Sequence, residues 1–88
     1  MNAHAHLDAL TLDRLATGTP AEIVKIYWAA LDSADASRLR HFGFDDQVRV
    51  EALHSGPFGR DPIAVRVGRM TVAIRRVHAR AIRVVPAD

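Results

Sequence analysis

The segment from residue 63 to residue 74 alternates apolar and other side chains about a central Gly-Arg pair, and this pattern predicts a β-hairpin. If Gly68 and Arg69 form a two-residue turn, the apolar residues of the two arms face one another on one side of the ribbon. A shift of the pairing by one residue would set apolar against polar side chains, so the register is well defined. The residues expected on the buried side are Ile63, Val65, Val67, Met70, Val72 and Ile74.

Three further segments alternate in the same way and predict strands. They are residues 21–28, 47–53 and 81–85, and the last of these adds Ile82 and Val84 to the expected core. At the end of the first segment, Trp28 is expected to be exposed and Tyr27 to point inward. Residues 54–62 hold two glycines and two prolines and are therefore expected to form an irregular loop.

One helix is predicted between residues 31 and 43. Asp32 or Ser33 can accept hydrogen bonds from the free amides of its first turn, and Leu39 with Phe42 forms an apolar stripe. A shorter helical turn is expected after Thr11. The sum is a mainly β domain of about five short antiparallel strands with one helix, and strands that must hide their edges favour a small, partly closed barrel.

The chain of 88 residues is long enough for one domain. We expect a flexible tail over residues 1–10, the domain over 11–85 and a short tail over 86–88. Cysteine is absent, so disulfides and thiolate metal sites are excluded. The longest uncharged apolar run is six residues, far below the roughly 20 that cross a bilayer, and no signal peptide or membrane insertion is expected.

The net charge is only +2, but the charges are unevenly distributed. From Gly56 onward there are seven arginines and two aspartates. Alternation alone places Arg66 and Arg75 on the outer face of the hairpin and Arg69 at its tip. Because a purely structural surface ordinarily mixes signs, this excess of positive charge indicates an acidic partner.

Several segments, taken in order, resemble the bacterial ferrous iron transport protein A (FeoA) family. They are "TLDRLATG", "RLRHFGF", "VRVEAL", "GRDPIAVRV" and "VAIRRVHARAIRV", and the resemblance covers residues 11–85. The chain departs from the family where a Pro-Gly turn is replaced by Asp46 and Gln47. A positive φ at Gln47 would be costly, so we expect a type I turn there.

The resemblance implies an SH3-like barrel with a helix inserted after the first strand. It also implies a cytoplasmic accessory of ferrous iron uptake, peripheral to the inner membrane, that acts on a membrane transporter. That transporter, ferrous iron transport protein B, carries a cytosolic GTP-binding domain. Related domains occur in iron-dependent transcription regulators. None of these roles makes the chain an enzyme, and the sequence contains no recognisable catalytic set.

The residues assigned to partner binding share positive charge or a loop position. Phe58 lies between two glycines, where its aromatic side chain either packs onto the mouth of the barrel or is exposed and anchors a partner. The full set is Phe58, Arg60, Arg66, Arg69, Arg75 and Arg76.

No resident cofactor or metal is expected, and any association with iron is expected to be weak or indirect. His4 and His6 have a His-x-His spacing, but two ligands on a tail bind weakly and no carboxylate cluster accompanies them. His41, His54 and His78 fall in different predicted elements.

Two other functions stay open from the sequence. A small basic barrel can bind nucleic acid, although the arginine-rich hairpin lacks the interleaved aromatic residues that single strands stack on, and no nucleic acid is expected. The chain could instead be a stand-alone regulatory domain related to iron-dependent repressors. An open strand edge would also allow a homo-oligomer.

Overall fold

The structure is a computed structural model that describes residues 9–58 and 61–87, with side chains for all of these except 55–58. Residues 1–8 of the predicted N-terminal tail therefore lie outside the described residues. The strands are β1 (Leu10–Thr11), β2 (Pro20–Ile26), β3 (Arg49–Phe58), β4 (Asp61–Val67), β5 (Met70–Ile74) and β6 (Ile82–Pro86). The helices are α1 (Ser33–His41), α2 (Arg76–Ala79) and two 3₁₀ turns, Leu12–Arg14 and Trp28–Ala30.

All six strands described form one antiparallel sheet in the order β1-β6-β2-β3-β4-β5. Helix α1 is inserted between β2 and β3, so the predicted mainly β fold with one inserted helix is confirmed. The two-residue β1 and the four-residue α2 are additions that the sequence pattern did not predict. Within the described part of the chain, no helix has the length and apolar character needed to cross a membrane.

The core lies on one face of the curled sheet. The 3₁₀ turn after β1 contributes Leu12, and Leu15 follows it; both are buried, as the predicted helical turn requires. The largest fully buried side chains are Phe44, Leu12, Ile23, Leu39, Ile74, Ile82, Val50, Val65 and Val84.

The β4–β5 hairpin has the predicted register, with Val67 opposite Met70 beside the turn. Gly68 has a φ of 58°, which the first residue of a hairpin turn of this kind requires. The predicted core residues that are buried are Ile63, Val65, Val67, Val72, Ile74, Ile82 and Val84. Met70 is 45% exposed, so its predicted burial is wrong. Its side chain adjoins the turn, at the end of the ribbon, where the core no longer covers it.

The prediction of an irregular loop at residues 54–62 is also wrong. Strand β3 continues to Phe58 and β4 begins at Asp61, with two register shifts in their pairing. Strand β2 pairs only with the first three residues of β3, so the rest of β3 is paired with β4 alone. Glycine and proline are tolerated in such a segment because an irregular or one-sided strand leaves backbone N–H groups outside the ladder.

Helix α1 begins where predicted. The N–H of Asp35 donates to Oδ1 of Asp32 at 2.8 Å, which caps the first turn. Hydrogen bonds from the backbone of this turn, foremost the one from Asp35, hold the pKa of the Asp32 carboxyl below its ordinary value. Ala36 and Leu39 are buried on the inner side of the helix, and Phe42 is half-buried just after it.

Gln47 adopts a φ of 70°, so the predicted type I turn that avoids positive φ is wrong. Its N–H donates to the carbonyl of Ile23 at 2.7 Å, and the N–H of Ile23 donates to the carbonyl of Val48 at 2.9 Å. These two hydrogen bonds join the turn to β2. They offset a left-handed backbone cost of about 1–2 kcal/mol for a residue other than glycine.

The two aromatic residues after β2 have the opposite arrangement to the prediction. Tyr27 is 45% exposed, whereas Trp28 is half-buried against the core. The guanidinium of Arg40 lies over the Trp28 ring, 4.1 Å from its centroid. This cation–π contact holds the indole between α1 and the core, which the strand alternation could not reveal.

Candidate protein-interaction surface

Three of the arginines predicted to bind a partner are exposed on and beside the β4–β5 hairpin. Arg66 projects from the outer face of β4 and lies 3.8 Å from a carboxylate oxygen of Glu51 on β3. Arg69 occupies the hairpin turn, and Arg75 follows the last residue of β5. Among the residues whose side chains are described, neither Arg69 nor Arg75 has an ion pair or hydrogen-bond partner for its guanidinium. This surface therefore carries positive charge that the described part of the domain does not neutralise.

Arg76 is placed differently, because its side chain turns back onto the domain. Its Nη2 donates to the backbone carbonyl of Asp13 at 3.0 Å and lies 3.8 Å from Oδ2 of the same residue. Its backbone N–H donates to Oδ1 of Asp61 at 3.0 Å. These contacts tie the start of α2 to β4 and to the first 3₁₀ turn. Partner binding by Arg76 stays a prediction, and the contacts visible here are internal to the fold.

The remaining two predicted residues lie beyond what the structure describes. Phe58 ends β3, but its side chain is outside the described atoms, and Arg60 is outside the described residues. Their assignment to a partner surface stays a prediction.

A groove of about 800 Å³ runs beside the outer edge of β5. Four elements form it, namely α1, the start of β4, the end of β5 and α2. The residues that line it are Asp35, Arg38, Asp61, Pro62, Ala73, Arg75 and His78. Arg75 is thus both part of the predicted surface and a wall of the groove.

Both carboxylates of the groove are engaged by neighbouring groups. Oδ2 of Asp35 lies 3.1 Å from Nε2 of His78, which links α1 to α2. Asp61 accepts the backbone N–H of Arg76, as described above. The Nδ1 atom of His78 is buried and has no hydrogen-bond partner among the described residues.

Neither arginine of the groove forms an ion pair with a carboxylate among the described residues. Nη2 of Arg38 donates to the carbonyl oxygen of Ala73 at 3.0 Å, and its guanidinium also lies 5.4 Å from the centroid of the Phe42 ring. A neutral carbonyl satisfies a donor without compensating its charge. Arg38 and Arg75 therefore each present a positive charge to the groove that is not paired with a carboxylate among the described residues.

Sequence reasoning missed Arg38, Asp35 and His78. Arg38 and Ala73 are 35 residues apart, so no local pattern connects them. His78 lies on α2, whose four residues are too few to give a helical period. The charged residues of α1 were the only available signal, and such residues are typical of any exposed helix.

Among the described residues, no group of three or more histidine, cysteine, aspartate or glutamate side chains could hold a metal ion. His41 and His54 are exposed, and His4 and His6 lie outside the described residues.

A comparison with family models matches the FeoA domain to residues 10–86, nearly the whole length of the chain. The chain belongs to the FeoA family. The resemblance inferred from the sequence segments is thereby confirmed. A comparison with curated proteins finds no match.

Solved structures agree with the FeoA assignment. Iron(II) transport protein A of Clostridium thermocellum is 27% identical with a TM-score of 0.78, over 89% of this chain and 46% of that one. The present chain therefore spans about half the length of that relative. Stenotrophomonas maltophilia FeoA, an SH3 domain protein solved with zinc, is 32% identical with a TM-score of 0.72, over 85% of this chain and 88% of that one.

The same fold occurs outside the transport proteins. A manganese-dependent transcriptional repressor is 27% identical with a TM-score of 0.67, over 90% of this chain and 42% of the repressor. This FeoA-family chain therefore has the SH3-like fold that the sequence resemblance implied.

Proposed function

We propose that this FeoA-family protein is a non-catalytic accessory of ferrous iron uptake. It binds the cytosolic region of the ferrous iron transporter, ferrous iron transport protein B, and thereby assists or regulates transport. Its place is the cytoplasmic side of the inner membrane, held there by the transporter. The names of two relatives support a role in ferrous iron uptake. One is named an iron(II) transport protein, and a role as a ferrous iron transport activating factor has been suggested for the other.

The observation that carries the proposal is the uncompensated charge of Arg69 and Arg75. Both are exposed, and no described side chain neutralises either of them. Exposed charges of one sign accelerate and orient association with a surface of the opposite sign. An acidic face on the transporter's cytosolic region is the matching surface, and the contact contributes attraction that salt screens.

The test measures binding of the full chain to the purified cytosolic region of the transporter from the same organism. Reversing three charges, Arg66→Glu, Arg69→Glu and Arg75→Glu, should weaken binding by at least about tenfold at low salt. Wild-type affinity should also fall as salt is raised. Each variant should remain folded, because exposed substitutions change stability by about 0.5 kcal/mol or less.

A matched control keeps the change in net charge equal. The double variant Arg69→Glu with Arg75→Glu is compared with Arg14→Glu with Lys25→Glu, which reverses two exposed charges outside the hairpin. Only the hairpin variant should lose affinity. Equal losses would reduce the effect to net charge, and unchanged binding by the hairpin variant would remove the basic surface from the contact.

The same titration is run with a single-stranded RNA of mixed sequence. Binding to RNA that is tighter than binding to the transporter fragment, with a steep dependence on salt, would favour the nucleic-acid function over the proposed one. Uptake of radioactive ferrous iron by cells lacking the gene, with and without the triple variant supplied, reports whether the contact affects transport.

A further inference from the structure

Strand β5 lies at one end of the sheet and is paired, among the described residues, with β4 alone. In an antiparallel hairpin with a two-residue turn, the pair next to the turn exchanges hydrogen bonds, and bonded and non-bonded pairs then alternate. Val67 and Met70 form that first pair. Thr71 and Ala73 consequently belong to non-bonded pairs, and their backbone N–H and C=O groups point away from β4 toward the open edge.

The contact of Arg38 gives independent support for this direction. Its Nη2 donates to the carbonyl oxygen of Ala73 at 3.0 Å, and Arg38 comes from α1 rather than from β4. The carbonyl of Ala73 must therefore face outward. Arg38 covers one acceptor of the edge. Because its side chain is exposed, an incoming acceptor can take over the hydrogen bond that Arg38 donates to the Ala73 carbonyl.

The charges beside this edge determine which kind of strand can pair with it. Arg69 lies at one end of β5 and Arg75 at the other, with Arg38 over the middle. If β5 of a second copy paired antiparallel in the register centred on Val72, each Arg69 would approach the Arg75 of the other copy, and like charges would repel. An extended segment that carries carboxylates instead meets an opposite charge at every one of these positions.

The groove beside Ala73 provides room for the side chains of such a segment. It has a volume of about 800 Å³ and is lined by Arg38 and Arg75. Its own two carboxylates, Asp35 and Asp61, are already engaged by His78 and by the N–H of Arg76. An incoming carboxylate therefore competes with no internal ion pair of Arg38 or Arg75 among the described residues.

We propose that β5 receives an extended acidic segment of a partner protein as a further strand of the sheet. The backbone of the segment pairs with Thr71 and Ala73, and its carboxylates replace the Ala73 carbonyl as the acceptors of Arg38 and also bind Arg75. That the partner is the iron transporter rests on the function proposed above. The open edge and its charges do not depend on that identity.

The first experiment uses the wild-type chain and a capped synthetic peptide of alternating glutamate and valine. Amide hydrogen exchange, followed by NMR, should show slower exchange of the Thr71 and Ala73 N–H groups at saturating peptide, by about tenfold or more. The corresponding peptide with lysine in place of glutamate, and one with N-methylated backbone amides, should give no such protection. Protection elsewhere, or none with the acidic peptide, overturns the proposal.

The second experiment uses one position of the edge. Thr71→Pro removes the outward N–H at a site where an edge strand tolerates proline, while Thr71→Val removes the hydroxyl and keeps the N–H. The proline variant should bind the acidic peptide and the transporter fragment at least about tenfold more weakly, whereas the valine variant should bind as the wild type does. Equal binding by the two variants overturns the proposal. If the proline variant does not fold, the exchange measurement on the wild type decides.

The two proposals fail in different ways. Loss of binding to the transporter fragment with retained, edge-localised binding of the acidic peptide contradicts the transporter function and supports the strand-pairing site. Binding of the transporter fragment without protection of Thr71 and Ala73 supports the function and overturns the site.

Discussion

Arg76 binds Asp13 across most of the length of the chain. Its Nη2 donates to the backbone carbonyl of Asp13 at 3.0 Å and lies 3.8 Å from Oδ2 of the carboxylate. Nε of Arg80 lies 3.6 Å from the same oxygen. The Asp13 side chain is only 8% exposed, so this is the most deeply buried carboxylate among the described ion pairs. It joins the turn after β1 to α2, two elements whose own hydrogen bonds are few.

Replacing Asp13 by alanine should therefore destabilise the domain more than loss of a surface ion pair. We expect Asp13→Ala to lower the free energy of unfolding by about 2 kcal/mol, because a partly buried Arg76 loses its countercharge. Glu51→Ala breaks the exposed pair with Arg66 and should cost about 0.5 kcal/mol or less. Urea denaturation of both variants gives the comparison. Equal losses would show that the Asp13 contact adds no more than an exposed pair does.

The turn before β3 offers a stabilising substitution. Gln47 has a φ of 70°, which glycine adopts without the clash of a Cβ atom. Gln47→Gly should raise the free energy of unfolding by up to about 1 kcal/mol, less what is lost to the greater flexibility of the unfolded chain. Asp46→Gly, next to it and without a positive φ, should instead lower stability. Thermal unfolding measures both, and a lower melting temperature for Gln47→Gly would contradict the prediction.

These two sites also show where sequence reasoning works and where it does not. The β4–β5 register could be predicted because an alternation about Gly68 leaves one consistent pairing. The conformation of Gln47 could not, because the hydrogen bonds with Ile23 that offset its cost come from a strand more than twenty residues earlier. The predicted cost was real, but tertiary contacts outweighed it.

The candidate site likewise has one part that the sequence predicts and another part that it does not. The exposed positions of Arg66, Arg69 and Arg75 follow from the period of the hairpin alone. The groove beside Ala73 does not, because Arg38 reaches β5 from a helix distant in sequence and α2 is too short to produce a periodic signal. A surface formed by one hairpin can be predicted from the local sequence, whereas a groove between elements distant in sequence can be located only in the folded structure.

The cap of helix α1 makes stability depend on acidity. The pKa of the Asp32 carboxyl is lowered from its usual 3.8, chiefly by the hydrogen bond from the N–H of Asp35. A lowered pKa means that the charged carboxylate stabilises the folded state above the unfolded-state pKa, and that this contribution is lost as the pH falls through the folded-state value. Asp32→Ser retains a neutral capping oxygen and removes the titration.

The stability difference between wild type and Asp32→Ser should therefore shift in favour of the serine variant as the pH is lowered from about 6 to about 2. Chemical denaturation across this range measures the difference. A gap that stays constant, or an NMR titration that gives Asp32 an ordinary carboxyl pKa, would contradict the assignment of the cap as the cause.

Substitutions at two adjacent positions of β5, Val72 and Thr71, test core burial and partner contact separately. Val72 is 3% exposed and faces Val65, whereas the neighbouring Thr71 is exposed on the open edge. Val72→Asp places a charge in the core, where an unpaired carboxylate costs several kcal/mol, a large part of the roughly 5–10 kcal/mol that stabilises a small domain. Thr71→Asp introduces the same charge in water and should change stability by about 0.5 kcal/mol or less.

Val72→Asp should therefore unfold the domain, seen as collapsed amide dispersion in a proton–nitrogen NMR spectrum. Thr71→Asp should give a folded spectrum and bind the acidic peptide more weakly than the wild type, because its carboxylate repels the incoming ones. A folded Val72→Asp variant with wild-type melting would refute the inward placement of Val72. Unchanged peptide binding by Thr71→Asp would place the acidic contact away from β5, since a negative charge between Arg69 and Arg75 must oppose any acidic strand that lies along this edge.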